Sequence, residues 1–294
     1  MINKDRPVAE PKETSVLTSI LLFCGLFWVS GLLRRGAALF TSWLISVAPV
    51  EAIPYVKLLG ALLALVLTVG LVVLYARFGE GRSLRSLGFT RHKALNEYLK
   101  GAATGFGLIA AIVLLCWAFG GVRFVGFGGF ELLPFFAALL LGVLNVREEV
   151  LFRAWFLNSL RGTLTAAAAI AVSSIAFGLI HLSNANATLL AIVNLVLMGA
   201  FLGLYFVRTG NIWGVAAIHT FWNFTQGRIC GLSVSGSLSN GSLLQFAPTD
   251  EGIFGVGAFG LEGSWAATIV ILAAIVLTAK NFSTFAIINP RGRE

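Results

Sequence analysis

The sequence predicts an all-α fold, a polytopic membrane helix bundle with about eight transmembrane helices. Three observations predict it. Hydrophobic residues make up 57 % of the 294 positions and charged residues only 12 %, about half the charge of an ordinary soluble domain. The apolar residues fall in runs approaching the roughly 20 residues that cross a bilayer core as helix. The 21 lysines and arginines, which against 13 acidic residues give a formal net charge of +8, lie between those runs rather than in a stripe.

In chain order, Met1 to Ser15 is polar and mixed in charge. The first span, Val16–Leu33, is closed by Arg34-Arg35. It is longer than a signal h-region and has no A-x-A-like site after it, so it is read as a retained span. Val56–Tyr75 is the second. The connection from Arg77 to Lys100 is polar and basic and is assigned to the cytoplasmic surface. Ala102–Phe119 is the third span. Leu132–Val146, the fourth, is short and is expected to continue through the charged patch behind it. Ala166–His181, Leu189–Val207, the short Trp213–Thr225 and finally Trp265–Lys280 complete the set. Gly227 to Gly263 is rich in Gly and Ser and long for a loop, which suggests a mobile flap. Residues 1–125 carry the N-terminal spans and the basic connection, and 126–285 form a helical core, the two making one continuous membrane domain.

With the N-terminus in the cytoplasm, sixteen basic residues fall inside and five outside, the five being Arg34, Arg35, Lys57, Arg123 and Arg228. The positive-inside rule then gives N-in and C-in. The basic balance suits anionic lipid headgroups and gives no support to nucleic-acid binding. Cys24, Cys116 and Cys230 are odd in number and lack a CxxC spacing, which argues against a disulfide framework or a cysteine-rich metal site.

Ionisable groups within apolar runs are costly and persist when paired or functional. Three clusters stand out. In the first, Arg147 to Arg153, Glu149 and Arg153 are four apart and share a helix face, so they can pair. Glu148 points about 100° away and is left for chemistry. The second is Phe177 to His181. The third is His219 to Asn223, whose ends are again four apart. Of three histidines, two are embedded in predicted spans; His92 lies in the basic connection. A carboxylate can serve as general base with a histidine sharing its water. A second histidine and an asparagine can donate to a developing oxyanion.

These clusters match the pattern EExxxR, FxxxH, HxxxN, in that order, with 33 residues from Glu148 to His181 and 38 from His181 to His219. Over roughly Leu132 to Asn223 the chain resembles the CAAX-protease and bacteriocin-processing (Abi) intramembrane endopeptidases. The resemblance implies a hydrolase that cuts a peptide bond of a membrane-associated protein or peptide. Glu148 would activate water with help from His181, and His219 and Asn223 would stabilise the oxyanion. Glu149 and Arg153 would be a supporting pair, with Phe177 packed beside the site. Some members of the family are labelled metalloproteases. A zinc ion held by Glu148, His181 and His219 has an acceptable ligand count, but no HExxH is present and a metal-free mechanism is favoured. The implied partners are a peptide or lipid-modified protein substrate and membrane lipids, and the implied location is a bacterial plasma membrane. A non-catalytic immunity or scaffold protein on the same fold, or an ion-coupled transporter, are the alternatives.

Overall fold

The computed structural model describes residues 15–129, 146–238, 241–249 and 253–280. The fourth predicted span, Leu132–Val146, lies almost wholly outside them. The described residues are mostly helical. Four helices are long and apolar enough to cross a membrane: Val16–Val47 (α1), Val50–Gly79 (α2, with its regular part Ile53–Leu74), Ala94–Ala118 (α3) and Leu189–Thr209 (α6). Two shorter apolar helices, Ala166–Leu179 (α5) and Trp265–Ala279 (α8), accompany them. Leu17, Trp28, Trp43, Val66, Trp117 and Leu277 are exposed on these helices. On a chain of this composition such side chains face lipid, and the protein is an integral membrane protein.

The first helix is longer than the sequence suggested. It does not stop at Arg34-Arg35 but runs on to Val47, so Arg34 sits well inside the helix instead of marking its end. Several starts are set by side chains. Ser15, Thr165, Thr188, Asn211 and Ser264 each accept a hydrogen bond from a first-turn backbone N–H, an N-cap worth about 1 kcal/mol. Gly210 closes α6 in the left-handed conformation at φ 60°, and Asn211 directly opens Ile212–Phe224 (α7).

At the centre lies the segment 146–160 (α4). It begins as an α turn, Val146–Glu149, widens into a π-helix over Val150–Leu157, and returns to α at Asn158–Leu160. Every residue from Glu149 to Leu157 is buried, so this element has no outward face. Phe23 of α1 packs on Phe152 and Phe156, with ring centroids 5.0 and 4.2 Å away. Phe177 of α5 meets Phe152 edge-on at 5.3 Å.

Among the described residues the most extensive helix contact is between α3 and α7. Gly101 and Gly105 permit it: a Cβ on either would collide with the carbonyl oxygen of Gly214 or Ile218. Small residues four apart are the usual means by which membrane helices bring their backbones together.

The basic connection after α2 folds back on the bundle. Trp155 Nε1 donates to Glu80 Oε1 (3.1 Å), Arg82 Nη1 to Ser159 Oγ (3.2 Å) and Asn158 Nδ2 to the Ser86 carbonyl (3.0 Å). Burial pulls the Arg82 guanidinium below its ordinary range, and Glu80, 3.3 Å away, opposes that shift. The end of α4 is thereby anchored.

A small sheet departs from the all-α expectation. Val122–Phe127 (β1) pairs antiparallel with Leu244–Pro248 (β2), with an irregularity between Phe124 and Gly126. Alternating strand pattern is weak over so few residues, and β2 lies within the Gly/Ser-rich stretch. That stretch, expected as a flap, contributes Leu232, Val256, Phe259 and Leu261 to the core.

Candidate active site

The three polar clusters come together on one cavity. It has a volume of about 490 Å³, and its wall includes Glu148, His181, His219 and Asn223, together with Arg34, Arg147, Asn184, Ser235 and Ser237. Glu148 comes from the first turn of α4, His181 from the turn after α5, and His219 and Asn223 from adjacent turns of one face of α7. All four predicted catalytic residues therefore share one space.

The three predicted supporting residues lie directly beneath it. Glu149 is fully buried and its Oε1 accepts from Arg153 Nη1 at 3.2 Å. The side chain of Glu148, on the next face of the helix, keeps 23 % exposure toward the cavity. The two neighbouring carboxylates thus have separate surroundings, as their angular offset predicts. Arg153 also donates to the Gly199 carbonyl (3.3 Å), and its guanidinium lies 4.3 Å from the centroid of the Phe177 ring. Phe177 in turn contacts both histidines, 4.9 Å from His181 and 6.1 Å from His219 between centroids.

The histidine hydrogen bonds fix their tautomers. His181 Nδ1 is 2.7 Å from the Phe177 carbonyl oxygen. A carbonyl only accepts, so Nδ1 carries hydrogen and Nε2 of the neutral ring presents a lone pair. His219 Nδ1 is 2.7 Å from Glu149 Oε1, and by the same logic it donates there. A carboxylate bonded to the far nitrogen is a common device for orienting a working imidazole. Sequence reasoning assigned Glu149 to Arg153 alone and missed this second partner; 70 residues of separation left no spacing signal.

Two further features were not anticipated. Arg34 was counted as an outside topology marker, but it faces this cavity. The apolar run Ala37 to Val47 that follows it is the signal that the helix continues. The wall residue Ser235 is held by Glu262, which accepts from its N–H (3.2 Å) and its Oγ (3.1 Å). Glu262 also accepts from Gln226 Nε2 (2.7 Å) and Trp222 Nε1 (3.4 Å). The segment that roofs the cavity is thus pinned to the α7 end and to the turn before α8.

Residues 129–225 match the family model described as type II CAAX prenyl endopeptidase, Rce1-like. Over this stretch the chain is similar to the CAAX-protease family. No curated protein and no solved structure matches it significantly. The matched stretch spans α4 to α7 and so contains all seven residues of the EExxxR, FxxxH and HxxxN motifs. CAAX endopeptidases are proteases, hence hydrolases, and the family name implies a prenylated or membrane-associated protein as substrate.

A zinc ion at such a site would need three grouped protein ligands. Among the described residues no three His, Cys, Asp or Glu side chains are grouped so as to hold a metal. The Nδ1 hydrogen bonds of both histidines leave their Nε2 atoms free, an arrangement that also suits an imidazole bound to a metal. Glu148, His181 and His219 line one cavity without being grouped as a three-ligand set among the described residues. Burial pushes the Cys230 thiol up to about 12, and Cys24, Cys116 and Cys230 are all unpaired.

Proposed function

We propose that this protein is a metal-free intramembrane endopeptidase, with Glu148 as the base. The observation that carries this reading is the convergence of one partly exposed carboxylate, two imidazoles and one carboxamide on a single cavity. A cavity of this size accommodates a short stretch of peptide.

Glu148 accepts a proton from water as the oxygen attacks the peptide carbonyl carbon. His181 assists through Nε2, whose lone pair is directed by the bond from Nδ1 to the Phe177 carbonyl. The tetrahedral intermediate carries an oxyanion, which Asn223 Nδ2 and His219 Nε2 stabilise by donation. With Nδ1 already donating to Glu149, a donor at Nε2 requires the imidazolium, and Glu149 supplies its counter-charge. The proton held by Glu148 then passes to the leaving amine as the C–N bond breaks. Arg153 keeps the Glu149 carboxylate in place.

The direct test uses the purified protein in detergent with a farnesylated CAAX peptide, products being read by mass spectrometry. Glu148→Gln and Glu148→Ala are expected to abolish cleavage while leaving the melting profile unchanged. Turnover retained by both variants eliminates Glu148 as the base. Treatment with a strong chelator is expected to leave the wild-type rate unchanged. A loss restored by zinc overturns the metal-free mechanism.

A further inference from the structure

A second cavity, whose wall shares no residue with the catalytic one, opens at the end of the bundle where α3 begins and α6 ends. Its volume is about 790 Å³. Three permanent cations line it: Lys93 and Lys100 at the start of α3, and Arg208 in the last turn of α6. One carboxylate, Glu97, is on the same wall, and both its oxygens are engaged. Oε1 accepts from Lys100 Nζ and Oε2 from the Tyr205 hydroxyl, each at 3.1 Å. Among the described residues Lys93 and Arg208 have no carboxylate within ion-pair distance. Three cations against one carboxylate leave a formal +2 on the wall, counting His92 as neutral.

The neutral polar groups around these cations are already used within the wall. Thr104 Oγ1 donates to the Lys100 carbonyl (2.8 Å), Thr209 Oγ1 to the Tyr205 carbonyl (2.9 Å) and Asn211 Nδ2 to Thr90 Oγ1 (3.1 Å). Arg208 is steadied by donation from Nη1 to the Thr278 carbonyl in α8 (3.4 Å). What the cavity offers a ligand is therefore positive charge, and ammonium groups beside a guanidinium fork suit the oxygens of a phosphate.

The rim ties that ligand to the bilayer. Ala103 and Thr104 are the lining residues furthest along α3, and Ala103 is exposed. One turn on, Gly107 is exposed with open space where a side chain would be. Leu114, seven residues further on the same face, is exposed as well. On a membrane helix these positions face hydrocarbon. An occupant that satisfies the cations and also covers this lane has a phosphate head and an acyl tail.

We infer that this cavity binds the phosphate of an anionic phospholipid, with Lys93, Lys100 and Arg208 on the headgroup and an acyl chain along Ala103, Gly107 and Leu114 of α3. The site is separate from the cleavage chemistry and stands whether or not Glu148 is the base.

The test uses the purified full-length protein in a neutral detergent. Native mass spectrometry reads the bound lipid while phosphatidylglycerol or phosphatidylcholine is titrated in. The expected result is an affinity for phosphatidylglycerol at least about tenfold above that for phosphatidylcholine. Lys93→Gln with Arg208→Gln is expected to erase most of that preference. Lys57→Gln with Arg123→Gln, which removes the same charge from exposed positions elsewhere, is expected to keep it. Ala103→Trp fills the mouth of the cavity without removing a charge and is expected to weaken phosphatidylglycerol binding to a similar degree. Glycerol phosphate at the lipid's own concentration is expected to leave the lipid bound. Equal affinity for the two lipids, an equal loss in both double variants, or full binding in Ala103→Trp overturns the site. Displacement by glycerol phosphate also overturns it and assigns the cations to a soluble phosphate compound. If the Lys93 and Arg208 variant fails to fold, Ala103→Trp decides.

Discussion

At the scale of single residues, the adjacent carboxylates Glu148 and Glu149 should respond in opposite ways to the same change. Glu148→Gln removes the proposed base from a solvent-accessible position and should lower the rate by at least about 10²–10⁴ with little effect on folding. Glu149→Gln leaves Arg153 buried opposite a neutral group and takes the counter-charge from His219. Breaking a buried ion pair from one side costs about 3–5 kcal/mol, so this variant should show a clear fall in Tm as well as lost activity. Thermal melts and rates measured side by side separate the two; equal Tm values would refute the division of labour. Asn223→Ala should lower kcat by about 10²–10³ if its amide faces the oxyanion, with KM much less affected. These residues were legible in the sequence because a charged or imidazole group within an apolar run has few structural reasons to be there. Their partners were not legible. The His219–Glu149 bond joins elements 70 positions apart, and Arg34 looked like an end-of-helix marker because Arg34-Arg35 closes the apolar run ending at Leu33.

At the scale of elements, the α3–α7 contact decides where His219 and Asn223 stand. Gly101 and Gly105 set the distance between these helices. Gly105→Ala adds one methyl group against backbone, which α7 can escape only by moving; overpacking of this kind costs about 1–3 kcal/mol. The expected outcome is a lower Tm with a fall in kcat. A control at Gly107, which has open space around it, should change neither. The helical spans were readable from hydropathy because length and apolarity are what a bilayer demands. Their ends were less so: α1 runs fourteen residues past Leu33, since an arginine facing a polar cavity interrupts the hydropathy without interrupting the helix. The β1–β2 pair and the packed Gly/Ser-rich stretch escaped notice because neither carries a long periodic pattern, and their order comes from contacts remote in sequence.

At the scale of the whole molecule, the family match covers residues 129–225, yet the cavity wall also takes Arg34 and Thr68 from the N-terminal helices and Ser235 and Ser237 from beyond the match. The motif-bearing core is therefore completed by both flanks. Glu262 shows how the second flank is held, through four hydrogen-bond contacts on one buried carboxylate. Glu262→Ala should release Ser235 and its neighbours. Hydrogen exchange over residues 231–237 should then speed up while the core of α6 stays protected, and unchanged exchange there would show that the tether is dispensable.

The wide-turned stretch Val150–Leu157 makes the protein sensitive to a kind of genetic change that leaves its chemistry untouched. A π turn houses an additional residue relative to an α turn, and here it does so between the two acidic side chains and the anchored end at Asn158 and Ser159. Loss of one codon in this stretch would let the backbone relax to ordinary α winding, still apolar and still helical. Everything upstream would be rotated by about 100°, turning Glu148 away from His181 and His219. Frame-preserving deletions, more than most substitutions, should be the lesions this segment cannot absorb.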